Sequence, residues 1–163
     1  MIKIMFVCHG NICRSPMAEF IMKDLVKSRG ECENFMISSS ATSTEEIWGG
    51  RGNPMYPPAK AELKARGVPF TEREATQLKA SDLEKYDLFI GMDSANIRNI
   101  RRILGNGCES KVYKLLSFAG SDRDVSDPWY SDRFDIAYDD IYKGCLALYN
   151  SISKVISKNT ETN

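Results

Sequence analysis

At 163 residues, with 42% hydrophobic and 27% charged residues, the chain has the size and composition of one ordinary globular domain with its own core. Lys plus Arg and Asp plus Glu both number 22, so the formal net charge is zero, which removes the electrostatic argument for a nucleic-acid or membrane-surface partner. No apolar run approaches the ~20 residues that span a bilayer, and the opening MIKIMFVC is too short for a signal-peptide core and carries Lys3; a cytoplasmic protein is expected.

Residues 2–8 form an apolar run suited to a buried strand, followed at once by a loop containing Gly10. Ser15-Pro16 predicts a helix start, with Ser at the cap and Pro at the first helical position. Met17, Phe20, Ile21 and Leu25 supply that helix with an apolar face, and Gly30 lies just beyond its end. Residues 35–40 predict a second strand. Residues 42–58 read as a long Gly/Pro-rich loop holding Trp48, and loops of that length are usually functional. A helix over 59–66 stops at Gly67, and 86–92 predict a third strand. Asp93 or Ser94 caps a helix with Ile97, Ile100 and Leu104 on one face, and 111–116 predict a fourth strand. After the Asp127-Pro128 turn, Ile141, Cys145, Leu148, Ile152 and Val155 mark a long terminal helix. A single domain is expected over 1–156, and the polar residues 157–163 read as a disordered tail.

Strands alternating with helices imply parallel pairing through right-handed crossovers. The fold class is α/β: a single doubly wound four-stranded parallel sheet flanked by helices, flavodoxin-like in topology, with an N-terminal phosphate-binding loop. Ligands of such folds sit at the carboxyl ends of the strands, where the 8–15 loop leaves the first strand.

That loop, Cys8-His9-Gly10-Asn11-Ile12-Cys13-Arg14-Ser15, joins a thiol, a tight turn, an arginine and a helix N-terminus. Successive backbone N–H groups in such a turn form an anion nest, and the helix dipole adds positive potential. The same field favours thiolate over thiol at Cys8. Arg14 offers a planar fork matched to two phosphate oxygens. Gly10 lets backbone approach the anion, Asn11 tolerates a left-handed conformation while bonding the loop internally, and Ser15 can donate to the thiolate. Cys-x5-Arg alone is a weak pattern, equally satisfied by a buried cysteine and a solvated arginine. Its place between a strand and a Pro-started helix makes it informative, and none of the other four cysteines has this spacing to an arginine. The five cysteines are odd in number and irregularly spaced, and no CxxC pair exists. They read as free thiols, with no metal site and no cofactor implied.

VCHGNICRSP (residues 7–16) resembles the signature of the low-molecular-weight protein tyrosine phosphatases. YDLFIGMDSAN (86–96) resembles that family's third strand and following helix start, and Asp127-Pro128-Trp129-Tyr130 its Asp-Pro-aromatic-aromatic loop. The three segments occur in the family's order, and the similarity covers nearly the whole chain. The resemblance implies hydrolysis of phosphotyrosine, in proteins or as aryl phosphate, through a phosphocysteine intermediate. Cys8 would be the nucleophile, Arg14 the phosphate-gripping residue and Asp127 the general acid. His9, Gly10, Asn11, Ile12, Cys13 and Ser15 would complete the phosphate site, with His9 at its rim. Cys13 resembles the second loop cysteine that traps oxidised Cys8 as a reversible disulfide. Trp129 and Tyr130 are either core or loop anchors or the walls of an aryl pocket, and Trp48 has the same two readings. Asp93 reads as a helix cap behind the site; Cys32, Cys108 and Cys145 read as inert thiols. Ser39-Ser40-Ala41 replaces the family's common Ser-Ala-Gly, and Arg73-Glu74-Ala75-Thr76 stands where many members have His-x-Ala-Arg. Both substitutions bear on the support behind the phosphate loop.

Arsenate reductase shares this fold and loop but relays oxidation through two further cysteines after the third strand, and residues 91–107 contain none. A protein-arginine phosphatase would tend to carry Thr where Ile12 stands. A non-enzymatic phosphate-binding or redox module would keep Cys8 and Arg14 without needing Asp127. The sequence carries no signal of oligomeric state.

Overall fold

The computed structural model describes residues 1–162. In chain order, β1 (Ile2–Cys8) leads into α1 (Arg14–Ser28), β2 (Phe35–Ala41), a short hairpin of β3 (Ile47–Trp48) and β4 (Arg51–Gly52), and α2 (Pro57–Ala65). Then follow β5 (Leu88–Gly91), α3 (Ser94–Leu104), β6 (Val112–Lys114), the short α4 (Pro128–Ser131) and the long α5 (Phe134–Glu161). The main sheet has the order β2-β1-β5-β6, all parallel. This is the doubly wound, flavodoxin-like arrangement, with the change of strand order at β1.

β1 is central, so both its faces are covered and its sequence is apolar without alternation. Ile4 and Phe6 face Met17 and Ile21 of α1, Leu63 of α2 and Ile141 and Leu148 of α5. Met5 and Val7 face Phe89, Ile100, Leu104 and Val112 on the other side. Leu115 packs so tightly on α5 that a Cβ on Gly144 would lie 2.4 Å from its Cγ. Only glycine permits that approach.

Four local expectations change. α1 begins at Arg14 with no side-chain cap, so Ser15 lies inside its first turn; its hydroxyl is engaged by Cys8 and Asn11, and a cap would need it aimed at a helix N–H. The long loop contains the antiparallel β3–β4 hairpin, pinned by Pro54 and Glu74 pairing beyond it. The third and fourth strands are shorter than expected, and after β6 the chain tightens into a 3-10 turn at Leu115–Ala119 that buries Leu115 and Leu116 against the core. The disorder expected from residue 157 gives way to helix as far as Glu161. No Gly or Pro interrupts this stretch. Ser157 and Thr160 donate back to the carbonyls of Ser153 (3.0 Å) and Ile156 (2.9 Å) within this helix. The remainder of that expectation, at Asn163, lies outside the described residues.

Candidate active site

β1 carries Cys8 to the carboxyl edge of the sheet beside Ala41 of β2. From there the chain turns back on itself within six residues, and this is possible because Asn11 adopts φ +57°. An asparagine tolerates that conformation where most residues would not. Four carbonyls of the turn are taken by other segments. Thr42 N–H donates to Cys8 O (3.0 Å), Ser43 N–H to His9 O (3.0 Å) and Tyr56 N–H to Ile12 O (2.9 Å). Arg73 Nη1 donates to Asn11 O (2.6 Å). With the carbonyls drawn outward, the N–H of Asn11 points at Cys8 Sγ (3.3 Å). No described residue accepts from the N–H groups of Gly10, Ile12, Cys13 or Arg14, which is the donor array an oxyanion needs.

Cys8 Sγ lies 3.0 Å from Ser15 Oγ, so hydroxyl and amide both serve a sulfur anion. Ser15 is held in turn by Asn11 Nδ2 (2.8 Å), which also donates to Ser39 Oγ (3.0 Å). Ser39 passes the chain on to Glu19 Oε1 at 2.6 Å. Asn11 Oδ1 accepts from Thr76 N–H (3.0 Å) and from Arg73 Nη2. Burial lowers the proton affinity of Arg73, opposed by Glu19 and Cys8; a guanidinium keeps its charge regardless. The chain thus places a second arginine behind the loop, reaching Asn11 from 62 residues away.

Arg14 is almost completely buried, and its planar head is fixed on one side. Nη1 donates to Asp93 Oδ2 (2.8 Å) and Val125 O (2.7 Å), while Nη2 lies 3.5 Å from Asp127 Oδ2. Burial works against its charge, but Cys8, Asp127 and Asp93 outweigh burial and hold the proton more firmly than in a free arginine. Asp93 does cap α3, accepting from Asn96 N–H at 2.7 Å, and its second oxygen positions Arg14. Asp127 caps α4 through Trp129 N–H (3.1 Å) and faces Arg14 with its other oxygen.

One cleft is lined by Cys8, His9, Gly10, Ile12, Cys13, Arg14, Glu45, Glu46, Asp127, Trp129 and Tyr130. The structure therefore brings together every residue singled out from the sequence except three. Asn11 and Ser15 support the loop from beneath. Trp48 does not line the cleft at all; it is 75% exposed on the hairpin. Trp129 and Tyr130 line the cleft, and Trp129 is also an anchor, its ring 4.9 Å from that of Tyr56. His9 sits at the rim with Nε2 3.0 Å from Glu45 Oε2. Burial pushes the Cys13 thiol far up, and Cys8 and Asp127 push the same way. Among the described residues no three His, Cys, Asp or Glu side chains converge as a metal site.

The residues that sequence reasoning missed are Arg73, Glu45, Glu46 and Tyr56. Only Arg73 left a signal, as a charged residue replacing a usual histidine.

Compared with known proteins, residues 3–159 match the family model for low molecular weight phosphotyrosine protein phosphatase. The chain is 36% identical over 156 residues to the low molecular weight protein-tyrosine-phosphatase YfkJ of Bacillus subtilis, covering 94% of this chain and 97% of YfkJ. The crystal structure of YfkJ superposes with a TM-score of 0.86, covering 94% of this chain and 96% of that one. SP-PTP, a low molecular weight protein tyrosine phosphatase from Streptococcus pyogenes, superposes at 0.81 with 35% identity, covering 100% and 99%. An arginine phosphatase from Drosophila superposes at 0.82 with 26% identity, covering 93% and 98%.

Proposed function

The chain belongs to the low molecular weight phosphotyrosine protein phosphatase family, and from that premise we propose that it hydrolyses phosphotyrosine in proteins through a phosphocysteine at Cys8. The observation that carries the assignment is the convergence, in one cleft, of a sulfur bonded to a hydroxyl and a backbone amide, a one-sidedly clamped arginine and a carboxylate.

The Cys8 thiolate attacks phosphorus in line with the phenolic oxygen. Arg14 and the free loop amides hold the three equatorial oxygens as their charge and geometry change, and this preorganised field lowers the barrier without reorganising. Asp127 donates its proton to the departing oxygen, so tyrosine leaves as the neutral phenol. The resulting Asp127 carboxylate then takes a proton from water, whose oxygen attacks the phosphocysteine. Phosphate departs and the thiolate is restored.

Turnover of 4-nitrophenyl phosphate in the presence of a metal chelator tests this reading, together with rapid-quench capture of a phosphoenzyme that Cys8→Ser lacks. Loss of activity on chelation, or a phosphoenzyme still formed by Cys8→Ser, would overturn it.

Ile12, 8% exposed and lining the cleft, supports phosphotyrosine over phosphoarginine. Its hydrocarbon offers nothing to a polar guanidinium leaving group, whereas a threonine hydroxyl would. Ile12→Thr is expected to shift the ratio of kcat/KM toward phosphoarginine by about 10–200-fold. We further infer a cytoplasmic, redox-sensitive enzyme, supported by five free thiols. Peroxide would convert Cys8 to a sulfenic acid; Cys13 sulfur would then displace hydroxide, which leaves as water, forming a Cys8–Cys13 disulfide that thiols reduce. Because the Cys13 thiol is pushed up, this capture should quicken as pH rises.

A further inference from the structure

The cleft holds two carboxylates that bond breaking does not use. Of the described residues that line it, Arg14 is the only lysine or arginine, against Glu45, Glu46 and Asp127. Arg14 is committed to phosphate on its open side and to Asp93 and Val125 on the other. Asp127 is neutral when it acts as the acid. Glu45 and Glu46 therefore remain as the uncompensated charges beside a bound phosphotyrosine.

Their positions follow from the loop that closes over the first strand. Ser43 N–H donates to His9 O, and Glu45 N–H donates to Ser43 Oγ (3.0 Å), so the chain turns with both glutamates beside the phosphate loop. Glu46 is fixed: Asn53 Nδ2 donates to its Oε2 at 2.7 Å, and its Cγ would lie 3.2 Å from a Cβ on Gly10. Glu45 is open to solvent yet already holds a nitrogen donor, the imidazole of His9 at 3.0 Å. Trp129 and Tyr130 of the same lining carry no charge. The lining is thus part acidic and part aromatic.

We propose that Glu45 and Glu46 select phosphotyrosines whose neighbouring residues are lysine or arginine. The inference rests on the phosphotyrosine reading above and names the substrate class within it. The phosphoryl group enters on Arg14 and the loop amides, the ring lies against the aromatic part of the lining, and a flanking cation reaches the acidic part, displacing His9 from Glu45. An acidic flank meets like charge there. The preference is local, because the whole chain has no net charge to steer a basic partner.

Each exposed carboxylate–cation pair contributes about 1.5–5-fold, so two glutamates together give a Lys-flanked to Glu-flanked ratio of about 10-fold. The test measures kcat/KM on phosphotyrosine peptides matched except for Lys, Ala or Glu flanks, with 4-nitrophenyl phosphate and a phosphoarginine peptide alongside. Expected is the order Lys, Ala, Glu, with the spread shrinking toward one in about 1 M salt, where the screening length is only ~3 Å. Glu45→Gln/Glu46→Gln should collapse the ratio, and Glu45→Lys should reverse it. Equal rates on the three peptides, with 4-nitrophenyl phosphate still turned over, overturn the proposal and leave the phosphatase reading standing. A spread that survives the double substitution removes it from these two residues. Phosphoarginine faster than every phosphotyrosine peptide assigns the carboxylates to a guanidinium leaving group and overturns it too. Failure to turn over 4-nitrophenyl phosphate strikes the phosphatase reading itself.

Discussion

The loop that presents Cys8 and the segment that presents Asp127 are built in opposite ways. Asn11, Ile12, Cys13, Arg14 and Ser15 are all buried, and the loop's carbonyls are bonded by Thr42, Ser43, Tyr56 and Arg73, residues from several distant stretches of chain. Asp127 instead begins a single turn of helix on which Trp129 is 52% and Tyr130 86% exposed. Asp127 itself reaches inward only through the weak approach to Arg14 at 3.5 Å, and the turn is held by buried Pro128, the Trp129–Tyr56 ring contact and Val125 just before it. The difference follows from what each does. A nest of amides aimed at a phosphate loses its function if any one amide turns away, so its backbone is over-determined. A general acid needs only to reach a leaving oxygen, and a wall that admits substrates must yield.

If this contrast is right, damage to the loop is all-or-none and damage to the acid segment is graded. The largest effect belongs to Cys8→Ser, expected to abolish steady-state turnover while phosphate and vanadate still bind by calorimetry. Residual turnover in pure protein would break the nucleophile assignment.

Next comes Asp127→Ala, expected to lower kcat by about 10²–10⁴-fold on a poor leaving group. The loss should shrink as the leaving phenol becomes more acidic, read from a series of substituted phenyl phosphates. An equal loss across the series would make Asp127 a support for its loop and erase the contrast.

Arg73→Met probes the support behind the loop. It removes the partner of Asn11 O and one of the two partners of Asn11 Oδ1, a loss of about 1–3 kcal/mol in urea unfolding. The positioning role predicts more than lost stability. With Asn11 less firmly held, kcat for 4-nitrophenyl phosphate should fall with KM little changed, and Arg73→Lys should restore part of it. An unchanged kcat would reduce Arg73 to a structural tie.

The smallest effect is at the aromatic wall. Trp129→Ala gives up a ring pair worth about 0.5–1.5 kcal/mol, or about 2–10-fold, expected mainly in KM for aryl substrates. Hydrogen exchange on the intact protein sharpens the same comparison: the amides of Thr42, Ser43 and Tyr56, which donate to the loop's carbonyls, should exchange more slowly than those of residues 129–132.

Much of this arrangement was legible in the sequence because it is written locally. An unbroken apolar run, a glycine turn and an arginine six residues after a cysteine mark a loop at a strand's end, and β1 runs into such a loop, although α1 starts at Arg14 and not at Ser15-Pro16. Asp127-Pro128 likewise marked the start of a turn, and it caps α4. The apolar spacing marks the terminal helix as far as Val155, and in the structure the helix runs on to Glu161.

Which side chains complete the site was settled only by tertiary structure. Arg73 meets Asn11 because the chain after α2 returns past the end of β2, where Ala41 bridges Gln77. Trp48 and the glutamates exchange roles for a similar reason. In the β3–β4 hairpin, Ile47 packs toward the core, and since side chains alternate along a strand, Trp48 must face water. Glu45 and Glu46, just before the hairpin, are left against the phosphate loop. Composition marks such a loop as functional, but a shift of one residue in the hairpin would exchange Ile47 and Trp48 between core and water, and that alternation is set by what the hairpin packs against.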